Sequence, residues 1–272
     1  MPRIAFWNLN RAGDCASSLE LLTSFGVEIL VVAEMGYERN ALLRAYQQAT
    51  NMPLHAPGTP LEHSRLTFFS VFPADRFRDV YDGGYIAIKE YRPEAGRSLI
   101  LVGVHLGSKL ALKTEDQGFE AQRLRAQIDE AEALCGHDRT VVLGDFNMNP
   151  FETGMVASDA LHGIMDRRIV EEGSRVVLGK RQPFLYNPMW RLMGDSRNGA
   201  LGTYFRRPGA HVHYFWHTFD QVLLRPSLLD AFREDELSIV ENIGTRPLLA
   251  EDRPGVSDAV SDHLPILFEL HT

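Results

Sequence analysis

Short runs of consecutive apolar residues recur along the chain, at Ile4–Leu9, Glu28–Ala33, Leu66–Phe72, Tyr85–Ile88, Leu99–Val104, Thr140–Leu143, Phe219–Leu223 and Leu264–Leu270. Most lack strict alternation, which predicts strands covered on both faces. Helical periodicity appears at Ala16–Phe25, Asn40–Ala49 and Thr114–Cys135. The third of these sets Phe119, Leu124, Ile128, Ala131 and Leu134 along one apolar stripe. Strands often follow one another without an intervening helix, so two sheets packed together with helices outside fit better than an alternating barrel. No linker-like, low-complexity or repeated segment interrupts the pattern, and one domain over residues 1–272 is expected.

Composition narrows the class without naming a chemistry. The 272 residues are 44% hydrophobic and 24% charged, the make-up of an ordinary globular protein. No apolar run approaches the roughly 18 residues of a membrane helix, and the first residues lack the apolar region of a signal peptide. Cys15 and Cys135 are the only cysteines, too few for a disulfide scaffold. A cytoplasmic chain without membrane insertion, and with no obligate protein partner evident, is therefore expected. The 28 Lys and Arg against 36 Asp and Glu leave a net charge of −8, which disfavours binding of nucleic acid through bulk charge.

One segment runs against that balance. From Lys180 to Arg207 six cations (Lys180, Arg181, Arg191, Arg197, Arg206, Arg207) face Asp195 alone, a net of +5. Eight of the chain's aromatic residues fall between Phe184 and Trp216. Cations meet phosphates while aromatic faces stack on bases or pack an apolar group, so Tyr204, Arg206, Arg207 and Trp216 are candidate substrate-binding residues. His211, His213 and His217 lie nearby; His211 and His213 would share a strand face, but no carboxylate or thiol completes a zinc set, and a packed strand is expected.

Polar residues stand at the ends of the apolar strands: Asn8, Glu34, His105, Asp145 with Asn147, Asp220, and Asp262 with His263. If the strand ends converge, several carboxylates share one cleft, which requires protonation or a cation. Oxygen donors without thiolates point to Mg²⁺ or Mn²⁺.

The segments Trp7-Asn8-Leu9-Asn10, Glu34 at a strand end, Val104-His105, Gly144-Asp145-Phe146-Asn147, Phe219-Asp220-Gln221-Val222-Leu223 and Ser261-Asp262-His263-Leu264-Pro265 together resemble the endonuclease/exonuclease/phosphatase superfamily. The resemblance implies a four-layered α/β/β/α sandwich and metal-dependent hydrolysis of a phosphoester at one edge of the paired sheets. It implies a metal on Glu34, assisted by Asn8 and Asp262. Asp145 would orient or deprotonate the attacking water, with Asn147 holding Asp145 or a phosphate oxygen. His263 would face the scissile phosphate, with Asp220 on its other ring nitrogen, and His105 would contact phosphate or help the leaving group depart. Arg123 and Gln127, a turn apart on the third helix, could steady the site from behind, but an exposed helix face is the expected place for them.

The basic, aromatic segment favours a nuclease acting on nucleic acid, and the lack of a long apolar hairpin disfavours a lipid substrate. The alternatives are a phosphatase or phosphodiesterase for a small phosphorylated metabolite or lipid headgroup, and a non-catalytic binding module of the same fold.

Overall fold

The computed structural model describes residues 2–58, 64–109, 112–194, 199–207, 211, 213–251, 254–257 and 259–271. Arg197 and Asp195 of the basic segment lie outside the described residues.

Two mixed sheets form the centre. The apolar runs become strands β1 (Arg3–Asn8), β2 (Ile29–Ala33), β3 (Leu66–Ser70), β4 (Phe77–Asp82), β5 (Ile86–Tyr91), β6 (Leu99–His105) and β7 (Thr140–Asp145). The first sheet runs Ser238–Ile239, Ile266–Glu269, β1, β2, β3; the second runs β4, β5, β6, β7, Asp220–Leu224, Leu185–Tyr186, Gly163–Ile164. Within them β1 and β2 are parallel, as are β6 and β7, and Asp220–Leu224 returns antiparallel beside β7. Every residue of β2, β6 and β7 is buried, as consecutive apolar positions require of strands with both faces covered.

The outer layers are helical. Helix α1 (Cys15–Phe25) starts where Asp14 accepts a hydrogen bond from the Ser17 backbone N–H, and it ends at Gly26 in the left-handed conformation. Leu21 and Leu22 of α1 and Leu42 of α2 (Arg39–Thr50) join the core that also holds Phe6, Trp7, Phe69 and Phe268. On the other side α3 (Thr114–Cys135) covers the second sheet through Ala121, Leu124, Ile128 and Ala131, packed with Val102, Val142 and Phe146. The arrangement is the four-layered α/β/β/α sandwich. Among the described residues no helix is long and apolar enough to cross a membrane.

The stripe on α3 differs from the expected one. Phe119 and Leu134 are exposed, at 70% and 61%, while the polar Gln117 and Arg125 are buried in the face that meets the sheet. Arg125 is satisfied there by Asp129 and the Ala160 carbonyl. Gln117 reaches the candidate site.

Candidate active site

Strand register gathers the strand-end residues within each sheet, and packing of the two sheets joins the sets through Asn8–Asp145 and Glu34–His105. Asn8 closes β1 and pairs with Ala33, so Glu34 emerges from the parallel β2 beside it. His105 closes β6 opposite Asp145, which closes β7, and Asp145 lies opposite Asp220 on the antiparallel neighbour. Opposed residues on adjacent strands sit about 5 Å apart, so these side chains share one edge of the sandwich. Glu34 and Asn147 both have left-handed backbone angles, with φ of +47° and +52°, and each turns the chain sharply after its strand. Gly144, before Asp145, is required by close approach: a Cβ there would stand 2.0 Å from the Val104 carbonyl oxygen of β6.

Residues 261–263 are anchored to the first strand. The indole N–H of Trp7 donates to the His263 carbonyl at 2.9 Å. The Ser261 hydroxyl donates to the Asn8 carbonyl at 2.7 Å and accepts from the His263 backbone N–H at 3.1 Å. The serine before Asp262 thus sets the position of His263, a role that its place in the motif did not reveal.

The centre is a buried charge cluster. Asp220 Oδ2 lies 2.8 Å from His263 Nδ1, and one ligand atom from each of Asp145, Asp220 and His263 falls within 4.8 Å of the others. Asp145 accepts from Asn147 N–H at 2.8 Å and from Asn8 Nδ2 at 2.9 Å. His105 Nε2 stands 3.3 Å from Glu34 Oε1 and 3.9 Å from Asp145 Oδ2. Asn147 Nδ2 donates to the Leu106 carbonyl at 2.9 Å. Asp220 Oδ1, Asp262 Oδ1 and His105 Nδ1 are buried without a hydrogen-bond partner among the described residues.

Proton affinities follow from this layout. Burial works against the charged form of His263, but the Asp220 charge and hydrogen bond, followed by Asp145 and Asp262, outweigh it and push the imidazole up to about 10. Burial, helped by the neighbouring Asp220 charge, raises Asp145 above the usual carboxylate range. Burial lowers His105 against the pull of Asp145. His263 is therefore an imidazolium at neutral pH and His105 a neutral ring.

These residues open onto a cleft of about 530 Å³ whose lining includes Asn8, Glu34, His105, Asp145, Asn147, Tyr204, Arg206, Asp262 and His263. Asp220 lies behind His263 and is fully buried. Two of the four expected substrate residues are not in this lining. Trp216 packs its edge on Phe205 with ring centres 5.1 Å apart, and the Arg207 guanidinium lies 5.7 Å from the centre of the same ring. His213 and His217 do line the cleft, and only Trp216–His217 forms a strand there, so the packed strand expected around His211 and His213 is absent from the described residues. Among the described residues the one cluster of metal-ligating type is Asp145, Asp220 and His263, so the three histidines form no metal set.

Ser108, Lys109 and Asn10 also line the cleft. Their signal was proximity: each follows a strand end already marked by His105 or Asn8. Gln117 holds the site from behind; Arg123 is exposed, as expected of that helix face, and lines a separate groove with Tyr81 and Tyr85. The Gln117 amide donates to the carbonyls of Asn147 at 2.9 Å and Gly107 at 3.3 Å. Gln117→Leu strips two carbonyls of a buried donor and is expected to cost about 2 kcal/mol of stability, read as a lower midpoint in urea unfolding.

The chain matches the model of the Endonuclease/Exonuclease/phosphatase family over residues 5–263 and belongs to that family. No curated protein matches it. Solved structures with similar folds include the endonuclease domain of TRAS1, a telomere-specific non-LTR retrotransposon, at 15% identity and a TM-score of 0.56, covering 100% of this chain and 99% of that one. A 3′ phosphatase from Neisseria, NExo, bound to a product DNA hairpin, aligns at 17% identity and a TM-score of 0.54, with 99% of each chain covered. An AP endonuclease from Archaeoglobus fulgidus aligns at 15% identity and 0.55 over the whole of both chains. At these identities the likeness shows the fold. Members of the family are hydrolases of phosphoester bonds.

Proposed function

We propose that this chain is a nuclease-type hydrolase that cuts phosphodiester bonds of nucleic acid with Mg²⁺ or Mn²⁺, residues 1–272 acting as one catalytic domain. The observation that carries the reading is the His263 imidazolium, clamped by Asp220 and set beside Asp145 at the floor of a cleft with Tyr204 and Arg206 in its wall. A cation and a carboxylate so placed match the needs of phosphoryl transfer, where charge grows on the phosphoryl oxygens as water attacks.

The donor set fits a hard divalent cation. Glu34, Asp145 and Asp262 line the cleft together, and among the described residues Asp262 keeps a buried oxygen without a hydrogen bond. His263 Nδ1 is engaged by Asp220. Glu34 and Asp262 would hold the ion with Asn8, whose Oδ1 also accepts from Asn10 N–H. When bound, the ion supplies Lewis-acid neutralisation of phosphate oxygens.

The chain's own residues do the rest. Asp145, kept more basic than an ordinary carboxylate, accepts a proton from the attacking water, and Asn8 and the Asn147 backbone fix its two oxygens. His263 donates from Nε2 to a phosphoryl oxygen because Asp220 occupies Nδ1. The neutral His105 ring steadies Glu34. Asn147 donates its amide nitrogen to Leu106 and lines the cleft, where its side-chain oxygen would be the atom left for the substrate. Both cysteines are free thiols, which fits the cytoplasm.

The test is a panel of single-stranded, duplex and abasic DNA, RNA and bis(4-nitrophenyl) phosphate, each with Mg²⁺, Mn²⁺ or EDTA. Cleavage of a polynucleotide that EDTA abolishes is the expected result. The cleft volume also suits a small phosphorylated metabolite, and hydrolysis of the small diester alone would favour that reading. No hydrolysis of any substrate with either cation would leave the binding module.

A further inference from the structure

His217 stands in the cleft with its protonation fixed by its neighbours. Its Nδ1 lies 3.1 Å from Asn149 Nδ2. The orientation of that amide is not free: Asn149 Oδ1 accepts from the Thr218 backbone N–H at 3.0 Å, and Nδ2 donates to Glu152 Oε1 at 2.9 Å. Reversing the amide would set oxygen against carboxylate and N–H against N–H. Asn149 is therefore the donor, His217 Nδ1 carries a bare lone pair, and the ring proton sits on Nε2. Glu152 is itself held by Lys109, and the His217 ring is stacked on Phe219 with centres 4.6 Å apart.

The groups facing this ring agree. Burial, then His213 and Lys109, with Arg206 adding to them and Glu152 opposing, bring His217 down to about 4, so it stays neutral through the physiological range. Its Nε2 has no hydrogen bond among the described residues, and the residue lines the cleft. Beside it, the exposed Arg206 side chain makes no ion pair among the described residues, while its carbonyl accepts from His213 Nε2 at 2.8 Å. The backbone places both relative to the reacting end. Tyr204 pairs with His217 on one side and bridges to His263 on the other, which separates the two histidines by two strand spacings, roughly 10 Å.

We propose that His217 and Arg206 form a subsite for a second phosphate of the substrate, the one flanking the bond that is cut, with His217 giving a neutral Nε2–H and Arg206 the charge. The assignment of the scissile position to Asp145 and His263 rests on the function proposed above; the anion subsite itself does not. A neutral, preoriented donor next to an exposed guanidinium recognises an anionic oxygen and offers nothing to a cation or an apolar group. Substrates that lack the flanking phosphate bind more weakly.

The test compares thymidine 3′,5′-bisphosphate with thymidine 3′-monophosphate by calorimetry in EDTA, so that turnover plays no part. The wild-type protein is expected to prefer the bisphosphate by about tenfold, the worth of one charged hydrogen bond. His217→Phe, which keeps the stacked ring, and Arg206→Met, at an exposed position, should each bring the ratio close to one. Nitrogen-detected NMR of the wild type should show His217 protonated on Nε2 at pH 7, with that nitrogen shifting when the bisphosphate binds. Equal affinity for the two nucleotides, a preference that survives both variants, or a proton on Nδ1 would overturn the subsite. A protein that prefers the bisphosphate yet hydrolyses no diester keeps the subsite and loses the proposed reaction; one that cleaves polynucleotides without the preference does the reverse.

Discussion

Asp145→Asn is expected to lower phosphodiester hydrolysis by about 10³-fold, the scale of a lost general base, while the protein still folds. The replacement is nearly the same size, but it cannot take a proton. It also sets an amide N–H against one of two donors that now bind the carboxylate, the Asn147 backbone and Asn8. That mismatch costs about 1–3 kcal/mol, so a lower thermal midpoint with native circular dichroism should accompany the loss of rate. The measurement is steady-state cleavage of the best substrate with Mg²⁺, alongside a melt. A variant that keeps a tenth of the wild-type rate would remove Asp145 from the chemistry.

Asp220→Asn acts one step further back, through His263. The carboxylate is the main support of the imidazolium, and burial, which opposes the charge, remains after it is gone. The His263 pKa should then fall from about 10 toward its ordinary 6.5, as a metal-free NMR titration can follow. At pH 7.5 the ring loses much of its positive charge and the rate drops by about 10²-fold, comparable to removal of one donor from an oxyanion site. Lowering the pH should restore part of the variant's activity, since acid re-forms the cation, whereas the wild type has nothing to regain. Linkage gives the matching stability effect in the wild type: a raised histidine pKa adds stability that is whole below pH 6.5 and fades as the pH climbs through about 10. An unchanged His263 titration would show that Asp220 only fills space.

The large elements were legible because periodicity is a local property. Each of the eight apolar runs falls on a strand of the two main sheets, and all three long helices lie within a residue or so of their expected limits. Strand β4 was not, since Phe77–Asp82 carries Arg78 and Asp79 exposed on a sheet edge and shows no apolar run. The strands at Gly163–Ile164 and Leu185–Tyr186 are two residues long and contain no period to read. On α3 hydrophobicity chose Phe119 and Leu134, but tertiary packing buried Gln117 and Arg125, whose polar groups find partners that no periodicity records.

The candidate site followed the same division. Polar residues ending apolar strands marked Asn8, Glu34, His105 and Asp145; register then gathered them in pairs, and sheet packing joined the pairs. Which members of the aromatic segment reach the cleft depends on a two-stranded ribbon: Tyr204 and His217 face the cleft while Phe205 and Trp216, one position along each strand, do not line it. Composition flags a segment, but only pairing decides between neighbouring residues.

Strand β1 lies between β2 and Ile266–Glu269, and Trp7 holds His263 across 256 positions of sequence. During synthesis the ribosome must therefore release residue 269 before the strand flanking β1 can pair and the candidate site can be assembled. Such distant pairing slows folding.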